Sequence, residues 1–170
     1  MSRRVLSLIA DILWFCILSE SFAQLPEPPK LNYDLIPDFF QLPPGEHLVE
    51  PAGVAVNSKG HVYVFHRGKH PLMEFDSSGK SLRSIADDLF VTAHMVRVDP
   101  EDNIWTADIG SHVVLKLSAE GRVLLALGRM RIPGDDVGHF NQPTDVAWDR
   151  DGNVYVTVSQ TSAAANFHCR

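Results

Sequence analysis

The side chains best equipped for chemistry in this sequence are those of His94 and Arg67. An imidazole ligates metals and moves protons near neutral pH. A guanidinium grips a carboxylate through two parallel hydrogen bonds. Their neighbours in the sequence add little. No Cys, Asp or His stands near His94 at ligand spacing, and Asp135-Asp136 beside Gly134 has no metal spacing behind it. On residues alone, His94 is an ordinary strand histidine and Arg67 a solvated charge beside a turn. His66, His70 and His112 read as structural, and Asp108 and Asp145 as caps of strand ends.

The elements that position these residues come from a repeat. Val54 to Lys80 lies without a gap on Val96 to Arg122 when shifted by 42 positions (96 minus 54). Val54/Val96, Val56/Val98, Gly68/Gly110, His70/His112 and Gly79/Gly121 are identical across that shift. The matched pair His70 and His112 predicts a hydrogen bond internal to each repeat. A third copy opens at Val146, with Val154-Tyr155-Val156 on Val62-Tyr63-Val64. Short β-rich runs at a period of about 40 to 50 residues are the signature of propeller blades. The pattern predicts strands at 53–56, 61–65, 72–75 and 82–85, then 94–98, 104–107, 113–117 and 123–127, then 143–148 and 154–157. Asp/Ser/Gly turns separate them.

The predicted fold class is therefore all-β, a propeller of four-stranded blades, with two full blades and part of a third. The tail at 158–170 carries no further strand-turn rhythm. Blades bury their faces against neighbours, so the ends of this array expose faces and edge strands. That predicts part of a larger molecule, or self-association through the uncovered blade edges. Trp105 and Trp148 read as core or inter-blade packing.

Length and charge narrow the function. With 170 residues and a formal charge of −6, the chain suits one globular domain and has no basic face for nucleic acid. Residues 1–23 read as a secretory signal: Arg3 and Arg4, an apolar run from Ile12 to Leu18, then Ser21-Phe22-Ala23. The run is too short for a membrane span, which predicts a secreted or lumenal protein. Residues 24–46 form a Pro-rich linker with an apolar docking patch of Leu35, Ile36, Phe39 and Phe40, and residues 47–157 hold the repeats. Cys16 lies in the signal segment, leaving Cys169 as an odd thiol.

Several ungapped blocks carry a resemblance. GVAV with VYV, and QPTDVAWDRDGNVYV, are of the NHL-repeat type. More particular are Phe65-His66-Arg67-Gly68, Trp105-Thr106-Ala107-Asp108 before His112 to Leu117, and His139 to Ala147. Together they resemble the peptidyl-α-hydroxyglycine α-amidating lyase family over roughly residues 42–157, about the first half of that family's domain. The resemblance implies a six-bladed propeller that cleaves peptides ending in α-hydroxyglycine to a peptide amide and glyoxylate. It also implies a zinc held by three histidines, a calcium on the channel axis, and an arginine and a tyrosine at the reacting group. Arg67 matches the family arginine and His94 the first zinc histidine. The carbonyls of Val54 and Val96 match two calcium ligands.

Some family features are missing. By the resemblance, the remaining zinc histidines and the calcium carboxylate would lie beyond residue 170, and Gln160 stands where the tyrosine is expected. Gln160 cannot take up a proton at neutral pH. The reading is a lyase-type chain with an incomplete catalytic set. The alternative is a non-catalytic NHL-repeat module that binds protein partners; a third is a truncated product without a stable fold.

Overall fold

The computed structural model describes residues 27–159 and the backbone of a strand at 165–168. The signal segment 1–23, Cys16, Gln160 and Cys169 lie outside the described residues. Two compact units divide the chain, Met1–Leu35 and Ile36–Arg170. In the first, the described residues 27–35 are exposed and without regular structure.

Among its described residues, the second unit is built from β-strands and one 3-10 turn, Asp87–Leu89. Strands β1 (Gly53–Val56), β2 (Val62–Phe65), β3 (Leu72–Phe75) and β4 (Ser81–Ser84) form one antiparallel sheet in that order. Strands β5 (Ala93–Val98), β6 (Ile104–Asp108), β7 (Val113–Leu117) and β8 (Val123–Leu127) repeat it. A third sheet holds β9 (Pro143–Trp148), β10 (Asn153–Val158) and β11 (Ala165–His168). These are propeller blades, two four-stranded and one three-stranded. Strand β11 falls where the sequence carries no strand-turn rhythm, and it pairs with β10 from Asn153↔His168 to Val156↔Ala165.

One local device makes each inner hairpin. The side-chain amide oxygen of Asn57 accepts the backbone amides of Lys59 and His61 at 3.0 and 2.9 Å. Asp99 does the same for Glu101 and Asn103 at 3.1 and 2.9 Å, and Asp149 for Asp151 and Asn153 at 3.0 and 2.9 Å. A short polar side chain thereby reinforces the backbone turn, in which the amides of Gly60, Asp102 and Gly152 donate to the carbonyls of Asn57, Asp99 and Asp149, and sets the reversal. The aromatic residue six positions on binds the same group: Trp105 donates to Asp99 at 3.0 Å and Tyr155 to Asp149 at 3.1 Å. In the first blade Asn57 donates to the Tyr63 hydroxyl at 3.2 Å.

The blades pack face to face. Tyr63, Phe65 and Leu72 of the first meet Val96, Ile104, Leu115 and Leu117 of the second in one cluster. Met95, Trp105, Ala107 and Val114 of the second meet Val146, Val154 and Val156 of the third. Trp105 and Trp148 stack across that joint, with centroids 5.6 Å apart. A buried charge sits behind the stack: Asp99, 5% exposed, takes the Lys116 ammonium at 2.9 Å.

The linker docks only in part. Phe40, Leu42 and Leu48 cover Val64, Met73 and Phe75 on the open face of the first blade, while Leu35 and Ile36 stay exposed. Gln41 pairs in parallel with Lys80, its amide reaching the Gly79 carbonyl at 2.8 Å. Gly79 has φ +84°, and a Cβ there would stand 1.9 Å from the Phe39 carbonyl oxygen. Only glycine fits that approach.

The matched histidines reach outside their own blades. His70 Nδ1 lies 2.5 Å from Asp87, and His112 Nδ1 accepts the Gln142 amide at 3.2 Å. Both partners belong to the segment that leads to the next blade, because the strand ends bearing these histidines face the crossover. The expected repeat-internal bond is therefore an inter-blade one.

Candidate functional site

Strands β1, β5 and β9 lie side by side as the first strands of their blades. The residues that open them, Ala52, His94 and Thr144, are equivalent by the 42-residue shift and a second shift of 92 (146 minus 54). Two of the three are bulged. Ala93 pairs with Asp108 and Met95 with Ala107, leaving His94 without a ladder partner. Thr157 pairs with Asp145 and Val158 with Pro143, leaving Thr144 likewise. A bulge re-aims the side chain it carries and is common beside active sites. Here it turns the His94 ring onto the neighbouring bulge: Nδ1 donates to the Thr144 carbonyl at 2.9 Å. A carbonyl only accepts, so Nδ1 carries the proton, and the neutral ring keeps its lone pair on Nε2.

Thr144 is itself held. Its hydroxyl meets the Thr157 hydroxyl at 2.9 Å, and the next residue, Asp145, is gripped by Arg97 through bonds of 2.8 and 2.7 Å. That grip holds the Asp145 carboxyl below the usual carboxylate range and raises Arg97.

Arg67 follows β2 and approaches the same strand end. Its Nε donates to the Ala93 carbonyl at 3.3 Å, one residue before His94. Its amide is fixed by the Val49 carbonyl at 2.7 Å. Nη1 meets the Glu50 carboxylate at 2.9 Å, with the Arg67 side chain 37% and that of Glu50 68% exposed. Arg67 and His94 thus stand at one end of the blades, with a carboxylate already resting on the guanidinium.

Val54 and Val96 occupy equivalent places, paired with Val64 and Thr106. Both border a groove of about 450 Å³ along the inner strands, with Arg97 and Trp148. Two carbonyls are too few for calcium, which takes six to eight oxygens. One histidine is too few for zinc, which takes three or four protein ligands. Among the described residues no group of three or more His, Cys, Asp or Glu could hold a metal ion. The described residues therefore do not make either metal site by themselves.

A second cleft, of about 390 Å³, lies between Trp105, Lys116 and Trp148 at the opposite strand ends, by Asp99 and Pro100. It contains none of the candidate residues. Sequence reasoning missed Glu50 and Thr144. Glu50 stands 17 positions from Arg67 and Thr144 50 positions from His94, and no local pattern signals either pairing.

Comparison with known proteins gives the site a context. No family model matches the chain. It is 28% identical over 137 residues to a probable peptidyl-α-hydroxyglycine α-amidating lyase of Caenorhabditis elegans, covering 66% of this chain and 39% of that one. Against the peptidylglycine α-amidating monooxygenase of Rattus norvegicus it is 34% identical over 145 residues, 67% of this chain and 15% of that one. Against the peptidyl-α-hydroxyglycine α-amidating lyase 1 of Drosophila melanogaster it is 34% identical over 90 residues, 51% and 16% of the two chains. The chain thus spans well under half the length of these relatives. The resemblance carried by the sequence blocks is borne out. Among solved structures, a streptogramin B lyase superposes with TM-score 0.50 at 18% identity, over 77% of this chain and 43% of that one. Hydrazine synthase of Kuenenia stuttgartiensis gives 0.52 at 15%, over 71% and 33%. Those likenesses concern the fold alone.

Proposed function

We propose that this chain, a sequence relative of the peptidyl-α-hydroxyglycine α-amidating lyases, contributes the Arg67–His94 wall of a site for peptides ending in α-hydroxyglycine. The observation that carries the reading is the placement of the Arg67 guanidinium against Ala93, beside His94, with the Glu50 carboxylate on its outer nitrogen. Glu50 stands in for the terminal carboxylate of a peptide. A peptide ending in α-hydroxyglycine presents that carboxylate one carbon from the hydroxyl, so Arg67 would orient the reacting carbon toward His94.

The reaction of the family breaks the C–N bond as the hydroxyl proton leaves, giving a peptide amide and glyoxylate. The described residues offer carboxylate recognition and one oriented imidazole. They do not offer a three-histidine zinc site, and the position expected to hold the base is Gln160. Binding without turnover is therefore the expected behaviour of this chain by itself, and the single histidine favours the second reading, a non-catalytic module. Export follows from the basic and apolar run at 1–23, and mature protein starting near residue 24 in culture medium would support it.

The test compares two peptides that differ only at the C-terminus, an α-hydroxyglycine acid and its amide. The acid binds and the amide does not, and Arg67→Ala removes the difference. Equal binding of both peptides by the unaltered chain would refute carboxylate recognition. Glyoxylate release, measured on the same samples with zinc added, separates the enzyme from the module.

A further inference from the structure

We infer that residues 46–50 form a strap that plugs Arg67 with the Glu50 carboxylate, and that a proton taken up by His66 releases it. The strap is tied to the turn after β2 along its length. The Val49 amide donates to His66 Nδ1 at 3.2 Å, and the Val49 carbonyl accepts the Arg67 amide at 2.7 Å. Glu50 Oε2 meets Arg67 Nη1 at 2.9 Å, and Glu46 Oε1 lies 3.5 Å from His70 Nε2.

His66 is the tie that a proton cuts. The residue is 1% exposed, and Nδ1 accepts a second amide, that of Gly68, at 3.0 Å. That approach needs a glycine, since a Cβ at residue 68 would stand 2.6 Å from the ring Cε1. An atom that accepts two N–H groups carries no hydrogen, so the neutral ring holds its proton on Nε2. A second proton goes to Nδ1, and the amides of Val49 and Gly68 then face an N–H. Buried donors without an acceptor are costly, and the strap relieves one of them by moving into water. Around the ring, Glu46 on the strap favours the charged form and His70 on the turn opposes it. Asp87, on the crossover, is taken by His70. Burial is the largest influence and places proton uptake below pH 6.5.

The strap is shaped to let go. Glu50 has φ +44°, a left-handed backbone that costs a residue with a side chain. Its carboxylate is mostly exposed, so it passes to water with little loss. At the other end a charged His70 holds Glu46 more firmly, and the strap hinges there. Once Glu50 leaves, the outer nitrogen of Arg67 is open to another carboxylate, while Nε stays on the Ala93 carbonyl. That the incoming carboxylate ends a peptide rests on the reading proposed above; the strap itself does not.

The second blade supplies the control. Asp108 stands at the 42-residue shift from His66 (108 minus 66). Its carboxylate accepts the Val91 and Ser111 amides without needing a ring lone pair. His66→Asp therefore keeps an acceptor for the strap and removes the histidine titration.

The test takes the purified full chain from about pH 7.5 to about pH 5, a span that holds a histidine titration and lies above a carboxylate's. Hydrogen exchange, corrected for intrinsic rate, reads the strap at the Arg67 amide. The Ile109 amide, at the equivalent place (109 minus 67) and bonded to the Thr92 carbonyl at 3.0 Å, is the reference for global opening. Isothermal titration with a peptide ending in α-hydroxyglycine reads the plug. In the unaltered chain, acidification lowers Arg67 protection relative to Ile109 and tightens the peptide by up to about fivefold. In His66→Asp neither changes. In Glu50→Gln protection still falls, but the peptide binds tightly at both ends of the span. Arg67 protection that ignores pH in the unaltered chain would overturn the inference, as would a His66→Asp chain that responds like it. Protection that falls as expected, with no peptide bound by any chain, upholds the strap and refutes the carboxylate reading instead. Should His66→Asp lose its strand circular dichroism, His66→Asn replaces it with the same expected result, its amide oxygen accepting as that of Asn57 does.

Discussion

His66 and Asp108, 42 positions apart, accept the same amide of their respective blades. Val49 N donates to His66 Nδ1 at 3.2 Å and Val91 N to Asp108 Oδ2 at 2.9 Å. Each acceptor also takes the turn that follows its strand, Gly68 for His66 and Ser111 for Asp108. Two unlike side chains thus tie the incoming segment to the second strand.

The first prediction follows from their difference. Burial of His66 lowers its pKa below the ordinary 6.5. Between 6.5 and that lower value the unfolded chain binds the proton and the folded chain does not, so stability falls as pH drops through this window. It is fully present above 6.5. Hydrogen-exchange protection of the Val49 amide should therefore decline below pH 6.5, while that of Val91 holds. Parallel decline at both sites would contradict it.

The buried charge behind the tryptophan stack gives a second expectation. Asp99 satisfies Lys116, the Trp105 indole and its own turn. Burial pushes its carboxyl up, but the Lys116 and Trp105 hydrogen bonds outweigh that and leave it below the usual carboxylate range. Replacing Asp99 by Ala removes three functions at once and costs about 2 to 4 kcal/mol, within the range for breaking buried pairs and leaving donors unpaired. Urea unfolding of the Asp99→Ala chain measures it, and a loss below about 0.5 kcal/mol would show the network to be idle.

Gly79 supplies a third. A side chain there meets the Phe39 carbonyl and carries a left-handed backbone. Gly79→Ala should release the linker, since a positive φ costs an alanine about 1 kcal/mol and the approach is closed besides. Limited proteolysis reads this out as new cleavage between residues 36 and 50, and an unchanged digest would argue against docking.

The clamp behind His94 makes a fourth. Asp145→Asn weakens the Arg97 grip at a half-exposed site, so stability falls by under about 1 kcal/mol. Its effect on the imidazole is larger than that figure suggests, because the bulge that carries the Thr144 carbonyl loses one of its two holds, the other being Thr157. Nitrogen NMR of the His94 ring should move from one tautomer toward a mixture. A ring spectrum that does not change would make the clamp purely structural.

How much of this was legible in the sequence depends on what makes each feature. Strands such as Val113–Leu117 and Pro143–Trp148 fall where the alternation and turn residues put them, because hairpins are local. The Asx turns at Asp99 and Asp149 were readable for the same reason. The bulges at His94 and Thr144 were not, since they arise from register against a partner strand, and residue types do not reveal register. The linker shows the same limit: Phe39 and Phe40 dock while Leu35 and Ile36, equally apolar, do not. What separates them is the fit at Gly79, a contact forty positions away in the chain (79 minus 39). Strand β11 is absent from the pattern because Ala165, Asn166, Phe167 and His168 pair by position on β10 rather than by β-propensity.

The most direct measurement is the affinity for a peptide ending in α-hydroxyglycine in three chains: unaltered, Glu50→Gln and Arg67→Ala. Glu50 competes for Arg67 through an exposed ion pair worth up to about 1 kcal/mol. Glu50→Gln should therefore tighten binding by up to about fivefold, and Arg67→Ala should abolish it. Binding that is the same in all three chains would contradict the assignment of Arg67 as the carboxylate-recognising group.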